Sequence, residues 1–91
     1  MELTDLRREI DRVDSEILRL LAERMALCDR VAAYKSDHSL PILDEAREEE
    51  KLARAAASVP ADLSGDAQEL YALLLSLSRR RQAALWKREV D

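Results

Sequence analysis

The stretch Thr4–Ser36, TDLRREIDRVDSEILRLLAERMALCDRVAAYKS, decides the fold. Leu6, Ile10, Val13, Ile17 and Leu20 recur at steps of four, three, four and three, and Leu27 and Val31 continue the pattern. Apolar residues at that spacing share one side of an α-helix and form a heptad-like seam. Thr4 offers a side-chain cap, and Asp5 and Glu9 suit the positive end of a helix dipole. The spacing predicts a first helix over about 4–36. At 1.5 Å per residue such a helix is roughly 50 Å long. A compact domain of this chain length has a radius of gyration of only about 12 Å. Two shorter helices cannot cover such a rod on all sides. The economical expectation is a homodimer in which long helices pair, in preference to a monomeric hairpin with an exposed end.

Downstream, SDHSLP breaks the periodicity and Pro41 bars helix continuation. A second helix is expected over about 44–58, opened by Asp44 as N-cap, rich in Ala and Glu, and closed by Val59-Pro60. PADLSGD forms the next connection and holds the single Gly. A third helix is expected over about 66–88, with Leu70, Tyr71, Leu74, Leu75 and Leu77 on its apolar face. Composition agrees with an all-α chain: 3% aromatic residues, no Phe and one Gly leave little for strands and hairpins. All 91 residues belong to one domain, since the chain is too short for two cores.

The composition also narrows function. A net charge of −4 disfavours nucleic acid and anionic membranes as partners. One Cys and one His are too few for an ordinary structural zinc site, and a lone Cys28 forms no internal disulfide. No apolar run approaches membrane-spanning length, and MELTDLRREID lacks the apolar core of a signal peptide. The expected location is the cytoplasm.

Polar residues interrupt the apolar stripes at a few places. Arg24 falls on the seam of helix one. An arginine there commonly snorkels, its stem packed and its head in water. Lys35, eleven residues on, projects from nearly the same face after about three turns. Two cations on one otherwise buried stripe invite an anionic guest. On helix three, Ser78 and Gln82 lie on the line Tyr71, Leu74, Ser78, Gln82, Leu85. A helical Ser often bonds the preceding turn, but Gln82 has four hydrogen-bonding sites to satisfy. Asp44, Arg47 and Glu48 make a D-x-x-R-E cluster, which taken alone is an N-cap with first-turn charges. Arg79, Arg80 and Arg81 read as a solvated face, His38 as a loop residue and Cys28 as a small packing side chain. The set holds cations, neutral donors and a few carboxylates, with no paired nucleophile and base, no metal cluster and no Gly-rich phosphate loop. It suits a small dicarboxylate and chemistry without covalent catalysis.

These motifs together resemble the all-helical chorismate mutases. LRREIDRVD at 6–14 matches that family's L-R-x-x-I-D-x-x-D, LLAER at 20–24 its L-L-x-x-R, and Lys35 its lysine eleven residues beyond that arginine. PILDEARE at 41–48 matches P-x-x-D-x-x-R-E, and SRRRQ at 78–82 matches Ser-x-x-x-Gln. The resemblance covers nearly the whole chain, with the motifs in order. It implies an intertwined all-α homodimer with two shared sites, no cofactor and no metal. The implied reaction is the intramolecular Claisen rearrangement of chorismate to prephenate, toward phenylalanine and tyrosine. Position by position, Arg24 would pair with a carboxylate, and Lys35 would reach a carboxylate and the ether oxygen. Gln82 would donate to that oxygen from the other side, and Ser78 would help hold a carboxylate. Glu48 would accept from the ring hydroxyl with Asp44 close by, and Arg47 would line the pocket. Arg7 would come from the second chain. Arg7 and Lys35 are 28 residues apart, about 42 Å along a helix, so one small molecule cannot touch both in a single copy: either Arg7 is an ordinary surface residue or the site is shared across a dimer. Two other readings remain: a relative acting on aminodeoxychorismate or isochorismate, and a non-catalytic helical dimerisation module. The acids Asp44 and Glu48 favour chorismate over the first. The second leaves the interruptions at Arg24, Ser78 and Gln82 without a reason.

Overall fold

The 35 residues of α1, Leu3–Asp37, form one unbroken helix. Its surface is laced by exposed intrahelical ion pairs, Arg12–Glu9 at 3.1 Å and Arg19 to both Glu16 and Glu23 at 3.0 and 3.4 Å. Such pairs each add about 0.3–0.5 kcal/mol. The computed structural model describes residues 2–90, with side chains described as far as Trp86. The helix begins one residue before the expected Thr4. Glu2 is the N-cap: its N–H donates to Asp5 Oδ2 at 3.3 Å, and its carbonyl accepts from Leu6 N–H at 3.1 Å. Thr4 is consequently inside the first turn.

At the other end Ser39 takes a left-handed φ of 54°. The Leu40 N–H then reaches back to Lys35 O at 2.8 Å and turns the chain. His38 stacks on Tyr34 at 3.9 Å between ring centroids. Glu45–Ala57 forms α2, with the Asp44 side chain accepting from Arg47 N–H at 3.1 Å as its N-cap. Ser58 closes it by donating its hydroxyl to Arg54 O at 2.6 Å.

The second connection is shorter than its sequence implies. Pro60 opens a single 3₁₀ turn, Ala61–Leu63, closed by Leu63 N–H on Pro60 O at 2.8 Å. The third helix, α3, follows at once over Ser64–Val90. The expected start at Asp66 is thus moved back, because the Ser64 hydroxyl ties the turn to Ala56 O at 2.9 Å. Gly65 becomes helical.

Among the described residues there is no strand, and no helix is long and apolar enough to cross a membrane. Both α1 and α2 pack on α3 and not on each other. The core is small: Cys28 and Ala32 of α1, Ala55 of α2 and Leu75 of α3, joined by the buried polar pair Ser78 and Gln82. Side-chain cross-links fix the lower half of α1 to α3, two of them beyond the cavity. Arg81 forks onto Asp29 at 2.7 and 2.9 Å. Trp86 Nε1–H donates to Ala32 O at 3.3 Å. This packing engages only the C-terminal half of α1. Every residue from Glu2 to Leu20 is exposed, including Leu6, Ile10, Val13, Ile17 and Leu20 of the seam. The molecule measures 55 × 26 × 14 Å, with a radius of gyration of 16.5 Å.

Candidate active site

Each helix lends one stripe to a cavity of about 330 Å³ where the three converge. From α1 come Arg24, Leu27, Cys28, Val31 and Lys35, the lower part of the heptad seam. The first turns of α2, with its cap, add Asp44, Arg47, Glu48 and Lys51, spaced by three, one and three. From α3 come Leu75, Ser78, Arg79 and Gln82. Helical spacing brings these residues to one face on each element. The packing of α1 and α2 on α3 then turns the three faces toward one another.

Within the cavity Arg24 is oriented from α3. Its Nη1 donates to Ser78 Oγ and lies 3.5 Å from Leu74 O and 4.0 Å from Cys28 Sγ. Ser78 spends its own proton on Leu74 O at 2.7 Å. Its oxygen therefore serves as an acceptor that aims the guanidinium, whose other N–H groups remain for a ligand. Lys35 Nζ donates to Ile42 O at 2.7 Å. That bond pins the α1–α2 loop and leaves two of the ammonium's three hydrogens. Gln82 is buried, and its Oε1 has no hydrogen-bond partner among the described residues. An unsatisfied buried polar atom costs about 1–3 kcal/mol, which is tolerable where a site needs that side chain for another purpose.

The electrostatics run against the chain as a whole. The protein carries a net charge of −4. The cavity is lined by five cations, Arg24, Lys35, Arg47, Lys51 and Arg79, against two carboxylates, Asp44 and Glu48. The N-terminus of α2 opens onto the same space and adds its positive dipole end. Such a cavity attracts a small anion carrying more than one negative charge. Among the described residues no group of three or more His, Cys, Asp or Glu could hold a metal ion.

Seven of the eight expected site residues line this cavity: Arg24, Lys35, Asp44, Arg47, Glu48, Ser78 and Gln82. Arg7 does not. It is exposed on the far half of α1, about 25 Å from Arg24 by helix rise. Two cations escaped the sequence reading. Lys51 follows Arg47 by four positions on the same face of α2, so its spacing was available as a signal. Arg79 was read as part of a solvated face, but it lines the cavity and forms an ion pair with Glu48. Arg81 lies on the solvated face as expected, where it pairs with Asp29.

Known proteins show similarity along much of the chain. The chain is 55% identical over 49 residues to a bifunctional chorismate mutase/prephenate dehydratase of Aquifex aeolicus, which is 54% of this chain and 14% of that protein. It is 43% identical over 47 residues to a chorismate mutase of Methanocaldococcus jannaschii, 52% of this chain and 48% of that one. It is 41% identical over 69 residues to a T-protein of Haemophilus influenzae, 70% of this chain and 18% of that one. The chain therefore spans between about a seventh and about half the length of these relatives. No solved structure matches it. The family model described as chorismate mutase type II matches residues 6–83, most of α1 through the Gln82 turn of α3, and the chain belongs to that family.

Proposed function

We propose that the chain catalyses the rearrangement of chorismate to prephenate. The observation that carries this reading is a cation-rich cavity in which seven separately expected residues from three elements meet. Chorismate is a dicarboxylate, which suits walls with five cations and two carboxylates. The rearrangement is unimolecular and needs no covalent catalyst. Holding a flexible substrate in its reactive diaxial shape removes ordering entropy before the chemical step. Arg24, aimed by Ser78, binds one carboxylate, and Arg47 lines the same pocket beside Asp44. Lys35 uses its free hydrogens on a carboxylate and on the ether oxygen. Gln82 donates to that oxygen from α3, and Glu48 accepts from the ring hydroxyl. As the ether C–O bond breaks, charge develops on its oxygen, and donors fixed in place beforehand stabilise it.

The working form is an intertwined homodimer, with Arg7 of each chain completing the partner's site. Three features support it. Residues 2–20 are exposed throughout, apolar seam included. The radius of gyration of 16.5 Å exceeds the roughly 12 Å of a compact chain of this length. The accessible surface of 7280 Å² exceeds the roughly 5,400 Å² expected of a compact monomer of this mass. A second copy laid along the seam would cover that apolar surface.

The direct test is a spectrophotometric assay of chorismate loss with purified protein. Prephenate should accumulate without any added cofactor. Protein that is folded by circular dichroism and leaves chorismate unchanged would remove this reading.

A further inference from the structure

The cavity holds one contact that none of the roles above requires. Arg79 extends from α3 across to α2, where its Nη1 donates to Glu48 Oε1. The pair is sheltered, with side-chain exposures of 37% for Arg79 and 23% for Glu48. It is also the ion pair by which the structure joins α2 to α3 across the cavity. A carboxylate has two oxygens and about four acceptor positions. With Oε1 held by a guanidinium, the second oxygen is left for a guest. The contact also answers an electrostatic difficulty. A dianion entering beside an unpaired carboxylate would be repelled, and a cation bonded to that carboxylate offsets the repulsion.

We propose that Arg79 is a positioning residue for Glu48: it holds one carboxylate oxygen, turns the other toward the substrate hydroxyl, and offsets the acid's charge beside a dianionic substrate. The assignment rests on the reading of Glu48 as the hydroxyl acceptor. Arg79 touches no reacting atom. It acts through its neighbour, and its contribution exists only while Glu48 is present.

That dependence gives the test. R79L, E48Q and the double variant are compared with the parent by kcat/KM on chorismate, with folding checked by circular dichroism and Tm. R79L should lose about tenfold, within the range of coupling found for contacting residues. The double variant should be no more than about twofold worse than E48Q alone. R79K, which keeps a charge and a donor, should recover part of the loss. R79Q replaces R79L if the latter does not fold. A double variant that loses the product of the two single factors would show Arg79 acting independently and overturn the proposal. So would an R79L or R79Q enzyme as active as the parent alongside an impaired E48Q, or a Lys variant no better than Leu. An unimpaired E48Q would instead remove the underlying role of Glu48, a result distinguishable from these.

Discussion

Gln82 is a residue whose burial works against the fold and whose chemistry explains its retention. Its Oε1 is buried without a partner among the described residues, yet the amide supplies N–H donors at every ordinary pH. The ether oxygen of the proposed substrate can only accept. A Glu at this position donates only when protonated, and a free Glu has a pKa of about 4.3. Q82E should therefore be poor at neutral pH and recover as the pH falls, while the parent shows no such acid recovery. Loss of one donor to a developing charge typically costs ~10²–10³ in rate. Parallel pH–rate profiles for the two proteins would mean that Gln82 does not contact that oxygen. Asp29 gives a second residue-level expectation, this time on stability. The Arg81 fork, chiefly through its hydrogen bonds, holds the Asp29 carboxyl below its usual range. A carboxyl lowered on folding stabilises above its unfolded pKa and loses that contribution as the pH falls through its folded value. D29N should therefore melt slightly below the parent at neutral pH, as befits an exposed pair. The difference in Tm should close as the pH falls through and below the usual carboxylate range.

At the scale of the element, the ends of the helices are more informative than their middles. Asp44 caps α2 and lines the cavity with the same side chain, so local folding and the site draw on one residue. The junction of α2 and α3 carries a simpler expectation. Gly65 lies in the first turn of α3, and a Cβ placed there meets nothing within 4 Å. Glycine in a helix leaves the unfolded chain more freedom to lose than alanine does. G65A should stabilise the protein by about 0.4–1 kcal/mol without changing turnover. Thermal melts at one protein concentration would show it, and a lowered Tm would mean that a partner surface crowds this turn.

For the whole molecule, the decisive property is that half of α1 packs on nothing within its own chain. The 55 Å length is essentially that of α1, which has 35 residues and a rise of 1.5 Å for each. The cavity lies against one end of this rod and Arg7 near the other. If two chains share two sites, inactive R7A and inactive K35A proteins, unfolded together and refolded, should regain activity. Each mixed dimer would hold one site with both lesions and one intact site. A refolded mixture no more active than its components would rule out sharing. Sedimentation of the parent should give twice the chain mass.

Much of this protein is decided by residues acting locally. The four-three spacing from Leu6 to Val31 places a seam on α1 whatever packs against it, and Asp44 and Pro41 mark the entry to α2 by their own chemistry. The interruptions at Arg24, Ser78 and Gln82 were legible for the same reason: periodicity assigns each residue a face, and a polar side chain on an apolar face stands out. Periodicity is silent on what a flanking charge meets. Arg79 lies one position round the helix from Ser78, and on α3 alone it is indistinguishable from Arg80. Only the approach of α2 brings Glu48, 31 positions earlier, against it. Asp29 and Arg81, 52 positions apart, are joined in the same way by the crossing of α1 and α3. The start of α3 shifted because the Ser64 hydroxyl found Ala56 O on α2. Sequence alone determined the helices and their faces, since those follow from bond geometry repeated every few residues. Tertiary structure decided which charges became partners, since that depends on how helices far apart in sequence come to cross.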